Sequence, residues 1–159
     1  SFGAARANLC WIANFRLHSA PPRTAEHGVN AMADVPQFFR MNLEVGDLAA
    51  AQAFYEALFG IQGRGQAGHR FYINPGPVAL QVVAPPSPQP APKALYFTVT
   101  DLGAVHARAR SLNALSNENV HGQRGGDISV KPWGERSFYV NDPWGNQLCF
   151  VEAGTVYAG

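Results

Sequence analysis

Two stretches of this chain repeat each other. "NLEVGDLAAAQAFYEALFG", from residue 42, aligns with "YFTVTDLGAVHARARSLNA", from residue 96. Val45 matches Val99, Asp47 matches Asp101 and Leu48 matches Leu102, an offset of 54 residues measured from Asp47 to Asp101. A repeat of this kind constrains the fold strongly, because each copy is one supersecondary unit whose apolar face must be buried against something else. Each copy is a short alternating strand, then an Asp, then a helical pattern.

In the first copy Met41, Leu43 and Val45 share one strand face, and Arg40, Asn42 and Glu44 share the other. Asp47 is a natural helix N-cap, since its carboxylate can accept a free N–H of the first turn. Leu48, Ala51, Tyr55 and Leu58 follow at helical spacing, and Gly60 closes the helix. In the second copy Leu95, Phe97 and Val99 face the helix while Tyr96 and Thr98 face away. Asp101 caps a helix whose apolar stripe is Leu102, Val105, Ala109 and Leu112.

Strand-like pieces follow each helix. In the first half they are "HRFYINP" and "PVALQVVAPP", with a Pro-Gly turn between them. In the second half they are "ISVKPWGE", "RSFYVND" and "QLCFVEA", preceded by "SNENVHGQRGGD", which reads as a polar, glycine-rich loop. The expected fold is α+β: two βαβββ modules whose curved sheets surround a cavity, with the helices outside. The expected organisation is an N-terminal arm or leader over 1–37, a first module over 38–84, a stiff proline-rich linker over 85–93, a second module over 94–153 and a tail over 154–159. The arm has no clear period and contains Met32, which could serve as a start site. This suggests a leader that was introduced by cloning, is removed by processing or arises by readthrough. Cys10, Trp11, Ile12 and Phe15 are its candidate anchors.

Composition narrows the function. The net charge is +1 and no Lys/Arg run exists, which argues against nucleic acid as a partner. No apolar run approaches the roughly 20 residues that span a bilayer, so no membrane partner is expected. Two cysteines, Cys10 and Cys149, make no disulfide framework, and a cytoplasmic location is expected. No phosphate loop, dinucleotide fingerprint, nucleophile elbow or HExxH motif occurs.

The two modules, "VGDLAAAQAFYEALFGI" in the first and "PWGERSFYVNDPWGNQLCFVE" in the second, resemble the glyoxalase/bleomycin-resistance/extradiol-dioxygenase superfamily, the vicinal oxygen chelate proteins. The resemblance covers roughly 38–153. For metal-dependent members it implies four ligand positions, usually His, Gln or Glu. Here these fall on Arg40, Gln81, Ala94 and Cys149. A divalent ion needs three or four lone-pair donors converging on a point. Arg40 is a permanent cation and Ala94 has no donor. Gln81 is a feeble ligand alone, and one thiolate plus one amide does not close a site. The five histidines do not stand at the implied positions. No metal and no other cofactor is therefore expected.

The residues left to line the hollow are Arg40, Asn42, Glu44, Gln81, Tyr96, Thr98, Trp133, Gln147 and Cys149. Arg40 either binds an anionic group on a ligand or is neutralised by Glu44. Cys149 either lines the cavity wall or is a packed core thiol. Trp133 offers a flat face for stacking, and Trp144 reads as a solvent-rim turn residue. Gly145 and Asn146 read as turn residues tolerant of positive φ. No catalytic residue is nominated. The expected function is metal-free binding or sequestration of a small planar compound, anionic or amphipathic, with antibiotic resistance as one setting. The resemblance implies a homodimer. The alternatives are a divergent metal-dependent lyase, isomerase or dioxygenase, and an interaction module whose cavity is filled.

Overall fold

The computed structural model describes residues 38–66 and 68–157, and the expectations for the arm over 1–37 lie outside them. The first module runs β1 (Arg40–Glu44), α1 (Leu48–Phe59), β2 (Arg64–Gln66), β3 (Arg70–Ile73) and β4 (Ala79–Val83). The second runs β5 (Leu95–Val99), α2 (Leu102–Ser111), a small hairpin of β6 (Asn119–Val120) and β7 (Gln123–Arg124), then β8 (Ser129–Val130), β9 (Arg136–Asn141) and β10 (Gln147–Glu152). The two main sheets share one topology, β1-β4-β3-β2 and β5-β10-β9-β8. In each, the first strand pairs in parallel with the last, and the other pairs are antiparallel. The sheets are curved and unclosed, and β1 and β5 are edge strands.

Both helices begin as the sequence predicts. Asp47 Oδ1 accepts from the Ala50 N–H at 2.9 Å, and Asp101 Oδ1 accepts from the Ala104 N–H at 2.8 Å. Each of these bonds satisfies a donor the helix itself cannot, worth about 1 kcal/mol. Gly60 ends α1 at φ 71°, the left-handed conformation that costs glycine no steric penalty. The segment read as a polar, glycine-rich loop holds the β6–β7 hairpin. His121 and Gly122 both take positive φ (53° and 80°), which gives the tight reversal, and the Asn119 side chain accepts the Gly122 N–H.

The helices lie on one side of each sheet and share a single core. Leu43, Val45, Phe71, Leu80 and Val82 of the first sheet are buried with Phe138, Val140, Leu148 and Phe150 of the second. Phe59 of α1 bridges the halves, with its ring centroid 5.1 Å from Phe97 and 6.0 Å from Phe150. Arg108 of α2 donates from Nε to the Leu58 carbonyl of α1 at 2.9 Å. Burying each such apolar side chain is worth roughly 1.5–3 kcal/mol, so the halves hold each other in place.

The "DPWGN" turn between β9 and β10 is the polar seam of this arrangement. Asp142, buried, accepts from the Tyr55 hydroxyl of α1 at 2.6 Å and from the Trp144 and Asn146 backbone N–H groups. Asn146, fully buried, donates from Nδ2 to the Glu44 carbonyl of β1 and accepts from the Ala91 N–H of the linker at 2.7 Å. Only Gly145 of this turn takes positive φ, at 89°. Asn146 therefore serves as a cross-module hydrogen-bonding hub rather than as a left-handed turn residue. Trp144 is half-buried against the core, and its indole lies so close to Gly46 that a Cβ there would sit 2.9 Å from Nε1. It packs the seam because Gly46 leaves room, and it does not stand at a solvent rim.

Candidate functional site

Because the helices cover one side of each sheet, the opposite side of each is an open face. Strand alternation decides what each face presents. On the first sheet the registers Asn42↔Gln81, Gln81↔Tyr72 and Tyr72↔Arg64 place these four side chains in one row. Arg40 and Glu44 of β1 and Arg70 of β3 share that face. On the second sheet Tyr96 and Thr98 of β5, Gln147, Cys149 and Val151 of β10, and Ser137 and Tyr139 of β9 share a face.

The first face is polar and cationic. The Arg40 guanidinium donates to Gln81 Oε1 at 3.3 Å. It also lies 5.1 Å from the Phe39 ring centroid and 5.2 Å from that of Tyr72. Its partners are thus an amide and two π faces, all neutral. Glu44 does not neutralise it, since Glu44 Oε2 accepts the Gln89 N–H of the linker at 2.8 Å. Tyr72 donates its hydroxyl to Gln66 Oε1. Asn42 is exposed.

The second face is largely packed. Tyr139, Cys149 and Val151 are buried together, with Ala94 and Val120 of the hairpin against them. The Tyr96 hydroxyl lies 3.3 Å from that of Tyr139, and its ring stands exposed above the cluster. Burial pushes the Cys149 thiol up from 9.0 to about 11, against weaker opposing hydrogen bonds from Tyr139 and Ser137. Burial also raises the Tyr139 phenol. Lys131 is only 2% exposed and donates from Nζ to Ser129 Oγ at 2.8 Å, with the Tyr139 ring 5.5 Å away. Desolvation lowers its pKa, opposed by the charge coupling to Cys149.

The nominated residues divide between these faces. Arg40, Asn42, Glu44 and Gln81 lie on the first; Tyr96, Thr98, Gln147 and Cys149 lie on the second. Gln147 is tied by Nε2 to Glu118 Oε2. Trp133 sits apart on the β8–β9 turn, donating to Glu135 and meeting the His121 ring edge-on. The sequence reading missed Arg64, Arg70 and Lys131. The alternation of Arg70 with Tyr72 in "HRFYINP" is the signal that could have found one of them.

An apolar groove of about 580 Å³ lies beside the open edges of β1 and β5, with Phe38, Met41, Phe59, Leu80, Leu95 and Phe97 among its lining. Tyr96 and Thr98 reach it, whereas Arg40, Gln81 and Cys149 do not.

The metal that the resemblance implies finds no matching donor set. Arg40 and Gln81 bond each other, Ala94 offers a methyl group, and Cys149 stays a protonated thiol, which ligates poorly. Among the described residues no three His, Cys, Asp or Glu side chains converge.

A family model described as "Glyoxalase/Bleomycin resistance protein/Dioxygenase superfamily" matches residues 37–150. Among solved structures, the chain is similar to the oxidase ChaP-H2, with 21% identity and a TM-score of 0.64 over 79% of this chain and 99% of that one. It is similar to a bleomycin-binding protein complexed with bleomycin, with 21% identity and a TM-score of 0.56 over 74% and 98% of the two chains. A lactoylglutathione lyase from Agrobacterium tumefaciens matches at 20% identity and a TM-score of 0.53 over 76% and 96%. At these identities the likeness shows a shared fold. No curated protein matches.

Proposed function

The chain belongs to the glyoxalase/bleomycin resistance protein/dioxygenase superfamily, and on that premise we propose that it is a metal-free container for a small planar organic molecule bearing negative charge. One observation carries this reading: at the positions where a divalent ion would need donors, the chain has a guanidinium, an amide, a methyl group and a protonated thiol. Such a wall repels a cation and attracts an anion. The Arg40 guanidinium, held between two rings and one amide oxygen, keeps most of its N–H donors for a guest. The exposed Tyr96 ring offers a surface on which a planar guest can lie. Sequestration of an antibiotic in the cytoplasm is one setting for such a container.

In this proposal the container is completed by a second copy. Among the described residues the edges of β1 and β5 leave backbone N–H and C=O groups unpaired, and the groove beside them exposes apolar side chains. Pairing β1 of one copy with β5 of the other joins a cationic face to a tyrosine-bearing face around one hollow. The unit then has the boundaries 38–84, 85–93 and 94–153, with the linker spacing the two modules.

Calorimetric titration of chelator-treated protein with benzoate and naphthoate tests the proposal. Saturable binding that Arg40→Met weakens by about 1.5–3 kcal/mol supports it, the scale of a charge-assisted hydrogen bond. Absence of binding to any aromatic carboxylate overturns it.

A further inference from the structure

The first face carries more positive charge than one anchor requires. Arg40 of β1, Arg64 of β2 and Arg70 of β3 all project to the same side of one four-stranded sheet. Arg64 is the direct cross-strand partner of Tyr72, and Arg70 stands two residues from Tyr72 on the same strand. The Arg40 guanidinium reaches across β4 to that same Tyr72 ring, 5.2 Å from its centroid. Register thus places Arg64 and Arg70 beside the tyrosine whose ring Arg40 reaches. The ion pairs among the described residues are Arg124–Asp127 and Arg136–Glu152, so none of the three has a carboxylate partner there. Glu44, the acid on this face, is already bonded to the Gln89 N–H. Like charges gathered on a small face repel one another, and a bound anion relieves that repulsion.

We propose that this face is a polyanion site: Arg40, Arg64 and Arg70 together bind a compact ligand with two or more carboxylate or phosphate groups, whose body lies against Tyr72. This deepens the container reading and rests on it. Planar, forked guanidinium groups favour oxygens of this kind, since each can donate two parallel N–H bonds to one carboxylate or phosphate. Arg40 is the fixed member of the set, held by Gln81 Oε1. Arg64 and Arg70 are exposed and close on the ligand as it arrives.

The chain is titrated with benzoate, benzene-1,3,5-tricarboxylate and inorganic pyrophosphate, at low and at moderate salt. The tricarboxylate should bind at least about tenfold tighter than benzoate at low salt, and the advantage should shrink as salt screens the charges. Arg64→Gln and Arg70→Gln should each weaken the tricarboxylate by about tenfold while leaving benzoate within about twofold. Pyrophosphate binding as tight as the tricarboxylate assigns the site to oxyanions in general; much weaker binding assigns it to carboxylates, and either supports the proposal. Benzoate binding as tight as the tricarboxylate overturns the polyanion site and leaves the container standing. So does a tricarboxylate affinity that neither substitution changes. Failure of the tricarboxylate and pyrophosphate overturns the polyanion site, and failure of benzoate and naphthoate as well overturns the container. Both positions are exposed, so the variants should fold, which circular dichroism checks.

Discussion

The two sheet faces turned away from the helices come from one repeated backbone, yet their chemistry is opposite. The first sheet presents Arg40, Arg64 and Arg70 to solvent, with Arg40 held by neutral groups alone, whereas the second packs Tyr139, Cys149 and Val151 beneath a hairpin that the first module lacks. The fold thus repeats only what the core requires. Apolar side chains facing the helices recur at the 54-residue offset because burial selects them, while the open faces are free to diverge. One became a charged surface and the other a small second core; in the container proposed above, a ligand between them would meet a cation on one side and phenol rings on the other.

The seam that fixes both faces gives the largest expected effect. Asp142→Ala removes the acceptor for the Tyr55 hydroxyl and for Asn146, leaving buried donors unmet. It should cost about 3–5 kcal/mol of unfolding free energy, read by urea titration. A loss under about 1 kcal/mol would mean the modules hold together without it. Arg40→Met comes next. It should weaken an anionic guest by about 1.5–3 kcal/mol while leaving stability within about 0.5 kcal/mol, since this face is solvated. Cys149→Ser should do the reverse, lowering stability by about 1–3 kcal/mol, because the hydroxyl loses more hydration than the thiol on entering a site packed by Tyr139 and Val151. Equal effects of these two on stability would erase the contrast between the faces.

A gentler test uses pH. The Cys149 thiol is raised from 9.0 to about 11 on folding, so the folded state favours the protonated form. That contribution to stability is fully present below pH 9.0 and is lost as pH rises toward 11. Alkylation of Cys149 by iodoacetamide, followed by peptide mass mapping, should be slow at pH 8 and accelerate toward pH 11. Fast labelling at pH 8 would expose the second face as open rather than packed.

Much of this was legible in the sequence because it rests on local rules. Asp47 and Asp101 cap helices as their side chains dictate, and period-two alternation assigned Arg40, Asn42 and Gln81 to one face and Tyr96, Thr98 and Cys149 to another. What escaped was non-local. Asn146 bonds to Glu44, 102 positions away, and no window of sequence contains both. Arg64 sits in a three-residue strand with glycine at its centre, too short to show a period. Lys131 reads as a surface cation until the fold buries it beside Tyr139. The His121-Gly122 reversal was hidden because histidine rarely announces positive φ.

Native mass spectrometry of the protein purified from its own host separates a metal-free container from a metalloenzyme, because metal, guest and subunit count appear in one spectrum. The expected species is a dimer that carries an organic anion, retains it through chelator treatment and holds no stoichiometric metal. A species with one zinc, iron or manganese ion per hollow would contradict it, and would move the chain to the lyase, isomerase or dioxygenase side of its superfamily.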